Sequence, residues 1–363
     1  MYSESDLESA VAAGALSADQ AAAFRNFVAS SSHMPAVDEE HFRLLTGFND
    51  IFVSIAAVIL LVAVGWIGYY IPPNIDGNGP SPFSGLLVAG VAWGLAEFFT
   101  RQRRMALPSI LLLIAFIGGV FTLAGLTIAL GVGPDRFDDN PQLGALVIAA
   151  AAAVAAVAAW FHWRRFMVPV TVAVGVAASA ALLVALVVSA VGDTPSTENI
   201  VLVSVLVLGV GVFLLAMRWD SSDPRRETRR SDVAFWLHLL AAPMMVHPIF
   251  TLMGLTEGKA TPLEAVIVVL LYVVLGLAAL AIDRRALLVS ALAYVLFALD
   301  SLFREYGAVE LSIALTALVI GSALLLLSAF WTNARRAVVR PLPEGLRGKL
   351  PVLDRTTAAA VAA

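Results

Sequence analysis

At 363 residues, 60% of them hydrophobic and only 14% charged, the chain falls well short of the roughly one-quarter charged residues of soluble domains, and the deficit points to lipid. The absence of cysteine rules out disulfides, thiolate metal sites and cysteine nucleophiles. A net charge of −4 says little by itself, but Lys259 and Lys349 are the only lysines, and both lie outside the apolar blocks, so a retinal-type Schiff base has no candidate amine.

The first 25 residues carry acids and no apolar h-region, so no cleavable signal peptide is expected and the first span directs insertion. Residues 1–30 read as a small cytosolic helical hairpin. Ser5 with Glu8, and Ser17 with Gln20, each fit a capping box, and Gly14 suits the helix end between them. Leu7, Val11, Leu16, Phe24, Phe27 and Val28 supply one apolar face. Such a hairpin is either a docking or sensing module for a cytosolic protein partner or a folded tail packed on the bundle, because about 30 residues bury little surface. Residues 31–49 form a linker with a candidate interfacial helix over 38–48, after which Asn49 and Asp50 cap the first span.

From residue 50 to residue 331 the apolar residues come in blocks of about 17–25, long enough to cross a hydrocarbon core of about 30 Å as helices. The alternation of a membrane barrel is absent. Ten spans are expected, over 50–71, 83–99, 107–130, 142–161, 167–190, 200–217, 231–253, 262–282, 286–303 and 309–331. Twenty of the 23 lysines and arginines fall in the two ends and in alternate loops, leaving Arg136, Lys259 and Arg304 for the other side. That asymmetry orients both termini to the cytoplasm. The expected fold class is therefore all-α, a polytopic transmembrane helix bundle of about ten spans, N-in and C-in. The segment 332–363 reads as an irregular basic cytosolic tail, broken by Pro341, Pro343 and Pro351. The loop RWDSSDPRRETRR is suited to anionic lipid headgroups, although topology control accounts for it more simply. Abundant alanine and valine, with arginine far in excess of lysine, suggest a GC-rich bacterium.

The stretch DLESAVAAGALSADQAAAF, followed by a dense set of short-looped spans, resembles bacterial polytopic membrane proteins of the domain-of-unknown-function 2157 type. The hairpin pattern covers about 30 residues, and the rest of the chain matches by architecture. The resemblance implies an inner-membrane, multi-pass location and transfers no functional residues.

Ionisable groups inside spans mark functional candidates, because lipid penalises them. Most have a local explanation here. Glu264 completes a Thr-Pro-Leu-Glu helix start, Glu310 complements a helix dipole, Glu97 pairs with Arg101 one turn on, and Asp283 belongs to an Asp-Arg-Arg turn. His162, between Trp160 and Trp163, reads as an interface anchor. The candidate intramembrane polar site is His238, Pro243, His247 and Pro248 in the seventh span, with Asp300 as a partner from the ninth. Nine residues at about 1.5 Å rise and about 100° each set the two histidines about 13 Å apart on opposite faces, so a shared metal is disfavoured. No other span offers a deep histidine for haem, and no cofactor is expected. Pro243 and Pro248 each remove a helical donor, opening the carbonyls of Leu239 and Met244, and predict a broken helix at membrane depth. Gly90-x-x-x-Gly94 and the Ala/Val-rich fourth span read as packing seams, within the chain or between copies in a homo-oligomer.

Two functions compete. One is small-solute or proton-linked transport, with His247 titrating, Asp300 assisting and the proline-broken seventh span moving. The other is a non-transporting scaffold or sensor that acts through the hairpin. An enzyme is not expected, since the chain carries no HExxH motif, no catalytic dyad at fixed spacing and no nucleotide-binding loop. Membrane lipids are expected partners; nucleic acid is not.

Overall fold

Polar caps open several of the long helices in this chain, and residues with positive φ close several of them. The computed structural model describes residues 4–31, 48–224, 226, 228–254, 262–285, 312–348 and 350–353, together with Leu288, Leu292, Val295, Leu296 and Leu299. These residues fall into two compact units, 1–44 and 45–363.

In the first unit, α1 (Glu4–Ala12) and α2 (Ala18–Ser31) are joined through Gly14, whose φ is +72°. The Ser17–Gln20 capping box is complete. The Ser17 amide donates to Gln20 Oε1 at 2.9 Å, and the Gln20 amide donates to Ser17 Oγ at 3.1 Å. Leu7 and Ala21 are buried, whereas Phe24, expected on the same apolar face, is exposed. The interfacial helix expected over 38–48 lies, all but its last residue, outside the described residues.

All regular structure among the described residues is helical. Among the described residues, seven helices are long and apolar enough to cross a membrane, which is the build of a multi-pass membrane protein. They are α3 (Phe48–Tyr69), α4 (Pro82–Ala96, continued by a π-helical turn Glu97–Gln102), α5 (Ala106–Val132), α7 (Pro141–Phe166), α8 (Val170–Val191), α9 (Thr197–Ser221) and α10 (Arg229–Leu252). A single turn, α6 (Arg136–Asp139), precedes α7. Beyond α10 come α11 (Pro262–Ile282), α12 (Ser312–Ala329), α13 (Trp331–Val339) and the turn α14 (Glu344–Arg347). The first seven expected spans coincide with the seven long helices, the eighth with α11, and the tenth largely with α12. The ninth, 286–303, falls mostly outside the described residues.

Local chemistry explains the boundaries. Ser81 Oγ accepts from the Phe83 amide, Asn140 Oδ1 from the Leu143 amide and Thr228 Oγ1 from the Arg230 amide, each satisfying a donor that a helix start leaves open. Pro82 and Pro141 occupy the first helical position, where a missing N–H costs nothing.

Neighbouring helices pack on small residues. α7 buries Ala145, Ala149, Ala152, Ala155 and Ala159, and Gly175 of α8 sits against Ala159. α4 and α5 cross where two glycines meet, since a Cβ on Gly119 would stand 2.7 Å from the Gly85 carbonyl oxygen. That pair is the tight seam of α4. At Gly90 and Gly94, by contrast, an added Cβ would meet no atom within 4 Å. α3 turns Phe52, Ile55, Ile59, Val62 and Trp66 outward, an apolar face suited to lipid.

α12 and α13 are bent apart by 77°. α13 buries Trp331, Arg335 and Val339, spaced four residues apart on one face. The segment expected to be an irregular tail thus begins with ordered helix, because those three side chains have partners to bury against.

Candidate functional site

Every second loop of the bundle carries the arginine clusters, and at that end charged side chains are drawn inside the protein. Asp220, in the last turn of α9, is 2% exposed. His238, three turns into α10, is 0% exposed, and its Nε2 lies 2.9 Å from Asp220 Oδ2. Arg284, just past α11, donates from Nη2 to Asp220 Oδ1 at 2.5 Å, from Nε to Oδ2 at 3.3 Å, and from Nη2 to the Ser231 carbonyl at 3.0 Å. The end of α9, the first half of α10 and the chain leaving α11 are therefore tied by one carboxylate. The edge of Phe213 closes on the His238 ring, with centroids 5.4 Å apart.

A second carboxylate extends the network. Asp283, at φ +58°, accepts from Arg226 Nη1 at 3.0 Å and from the Trp331 indole N–H at 2.7 Å. Arg226 also donates to the carbonyls of Ile282 and Asp283, covering the end of α11. Arg335, 1% exposed, holds the carbonyls of Pro351 and Val352 at 2.6 and 3.1 Å, and its Nε lies 3.7 Å from Asp283. Asp223 accepts from the amide and hydroxyl of Thr228, bracing the α9–α10 loop. Burial lowers the Arg226 pKa to about 10, with Arg284 nearby adding to the effect and Asp283 opposing it. Arg226 therefore remains a cation at neutral pH.

The carboxylates Asp220, Asp223 and Asp283 stand against the guanidiniums of Arg226, Arg284 and Arg335, and Asp232 of α10 also interacts with the Arg284 charge. Asp220 is an acceptor, which puts the imidazole hydrogen on Nε2 and leaves Nδ1 as the basic nitrogen. Among the described residues that Nδ1 is buried without a hydrogen-bond partner. The arrangement can hold one proton at a defined atom inside the bundle, and it can lock three helix ends and the segment 350–353 together. Among the described residues no group of three His, Asp or Glu side chains is placed to bind a metal.

The residues singled out in the sequence separate. His238 enters the network. His247 is exposed, as is Pro243 one turn before it, while Pro248 is buried. Asp300 lies outside the described residues. The broken helix expected at the prolines is not found: α10 runs unbroken from Arg229 to Leu252 with both prolines inside it. Each proline removes a single donor, and the turn around Met244, whose carbonyl Pro248 leaves open, is seated on α9. A Cβ at Gly209 would stand 2.9 Å from the Met244 carbonyl carbon and 3.0 Å from its oxygen. Protein packing receives the opened backbone there, so the helix has no need to part.

His162 also departs from expectation. It is 1% exposed because it continues the buried α7 face through Ala152, Ala155 and Ala159. Its Nδ1 lies 3.2 Å from Thr171 Oγ1, and Trp93, Phe116 and Phe166 surround the ring, so it is a core residue and not an interface anchor. Glu97 pairs with Arg101 at 3.3 Å, as its spacing suggests, and more closely with Arg165, at 2.7 and 2.9 Å.

Sequence reasoning missed Asp220, Asp223, Arg226, Arg284 and Arg335 by treating the arginine-rich loops as topology signals. The available signal was the acids among them, since orienting a chain calls for basic residues and not for Asp220, Asp223 and Asp283. Comparison with protein-family models, with curated proteins and with solved structures finds no match to this chain in any of the three.

Proposed function

We propose that this chain is a ten-span, N-in and C-in protein of a bacterial cytoplasmic membrane that couples movement of a small solute to a proton held on His238. The observation that supports this reading is a wholly buried histidine inside a membrane-length helix, paired with Asp220 and carrying an open basic nitrogen. His238 takes the proton at Nδ1, while Asp220 orients the ring through Nε2 and Arg284 anchors Asp220. The positive charge of a protonated His238 competes with Arg284 for Asp220, which loosens the tie between α9, α10 and the end of α11. In this reading α10 moves as a whole helix. His247, exposed on its outer face, has no part in the relay.

A second reading, a non-transporting scaffold or sensor working through residues 1–30, is favoured by one feature: residues 1–44 make a compact unit of their own. Proteoliposomes containing the full chain and an internal pH dye separate the two. Mixtures of amino acids, organic acids and sugars are added outside. Transport predicts a solute-dependent pH change that His238→Ala abolishes and His247→Ala retains, with helical content and elution profile intact in both variants. No proton movement with any mixture would overturn transport and leave the scaffold reading.

A further inference from the structure

Where α7, α8 and the end of α9 meet, the side of the bundle dips into a groove of about 330 Å³. Its floor is made of small residues, Ala156, Ala159 and Gly175, and three indoles, Trp160, Trp163 and Trp219, stand around it. The groove runs along α8 from Thr171 to Ser179, about 12 Å at 1.5 Å per residue. Such a trough has the bore and the apolar lining of an acyl-chain site, and tryptophan is the residue that sits at headgroup level.

A positive charge stands beside this groove. The Arg164 guanidinium lies over the Trp160 ring, 5.1 Å from its centroid. Arg229 of α10 donates to the Met167 carbonyl where α7 ends. Arg164 pairs with no carboxylate among the described residues, unlike Arg165, which Glu97 holds, and Arg229, whose charge interacts with Asp232 three residues on. A cation with no acid partner among the described residues, beside an apolar trough, complements an amphiphile with a negative head and a hydrocarbon tail.

We infer that the groove is a binding site for an anionic phospholipid, its acyl chain lying on Ala156, Ala159 and Gly175 and its phosphate on Arg164. The site is independent of the proton-binding proposal, since it shares no residue with the His238 network.

The test is tryptophan quenching in phosphatidylcholine bilayers containing the full chain. Phosphatidylglycerol with dibrominated acyl chains is compared with phosphatidylcholine brominated in the same way, at equal low mole fraction. The anionic lipid is expected to quench as though roughly fivefold enriched, the factor that about 1 kcal/mol for one basic group represents. Arg164→Gln should remove the excess, Arg164→Lys should keep it, and Ala156→Phe should remove it by filling the trough. Equal quenching by the two lipids in the unaltered protein would overturn the assignment, whatever the variants do. So would an excess that survives both Arg164→Gln and Ala156→Phe, because it would place the lipid elsewhere. A change of oligomeric state in Ala156→Phe with the lipid excess intact would give the groove to a second copy of the chain.

Discussion

Arg284 and Asp220, separated by 64 positions in the sequence, form a two-point ion pair at 2.5 and 3.3 Å with both side chains almost wholly buried. A buried pair of this kind contributes little net stability over apolar replacements, but losing one member leaves an uncompensated charge inside the protein. Asp220→Ala or Arg284→Ala should therefore destabilise the bundle by about 3–5 kcal/mol. The double variant Asp220→Leu with Arg284→Met should recover much of that loss. Denaturant titration in mixed micelles checks both statements, and an additive double variant would refute the pairing.

Trp331→Phe keeps the ring buried while removing the indole N–H that Asp283 accepts at 2.7 Å. A lost hydrogen bond to a charged group is worth about 1.5–3 kcal/mol. Trp160→Phe, at an exposed position, should stay within about 0.5 kcal/mol of the unaltered protein in the same titration.

Gly209 and Gly211 lie two residues apart on α9 and should respond oppositely to alanine. The Cβ of Gly209→Ala would strike the Met244 backbone and force α9 away from α10, an overpacking cost of about 1–3 kcal/mol. Gly211 has open space at that point, so Gly211→Ala should be neutral or slightly stabilising through helix propensity. Equal thermal midpoints for the two variants would contradict the close approach.

The orientation can be read with single cysteines, because the chain contains none. With both ends inside, Thr194→Cys in the α8–α9 loop should react with a membrane-impermeant maleimide added to intact cells. Ser222→Cys in the α9–α10 loop should react only after permeabilisation. The reverse pattern would invert the topology.

Helix positions were legible in the sequence because they depend on local, additive quantities. Runs of apolar residues set the spans, and Ser81, Asn140 and Thr228 set where some of them begin. The Ser17–Gln20 box was equally legible, since both partners lie within one turn. Less was legible at the site. Helical periodicity separates His238 from His247 by half a turn, but it does not say which face looks inward. The two prolines in α10 predicted a break, because the sequence does not reveal that Gly209 of another helix would support the Met244 turn.

By itself, then, the sequence determined a helical membrane chain, the location of its long helices and the divergence of its two α10 histidines. Those properties follow from hydropathy, capping and a fixed rotation per residue. Only the tertiary structure decided that His238 is the inward one, that Asp220 belongs to Arg284, and that arginines of the loops are partly interior. Charge pairing across 64 positions depends on how helices assemble, and no local rule encodes it.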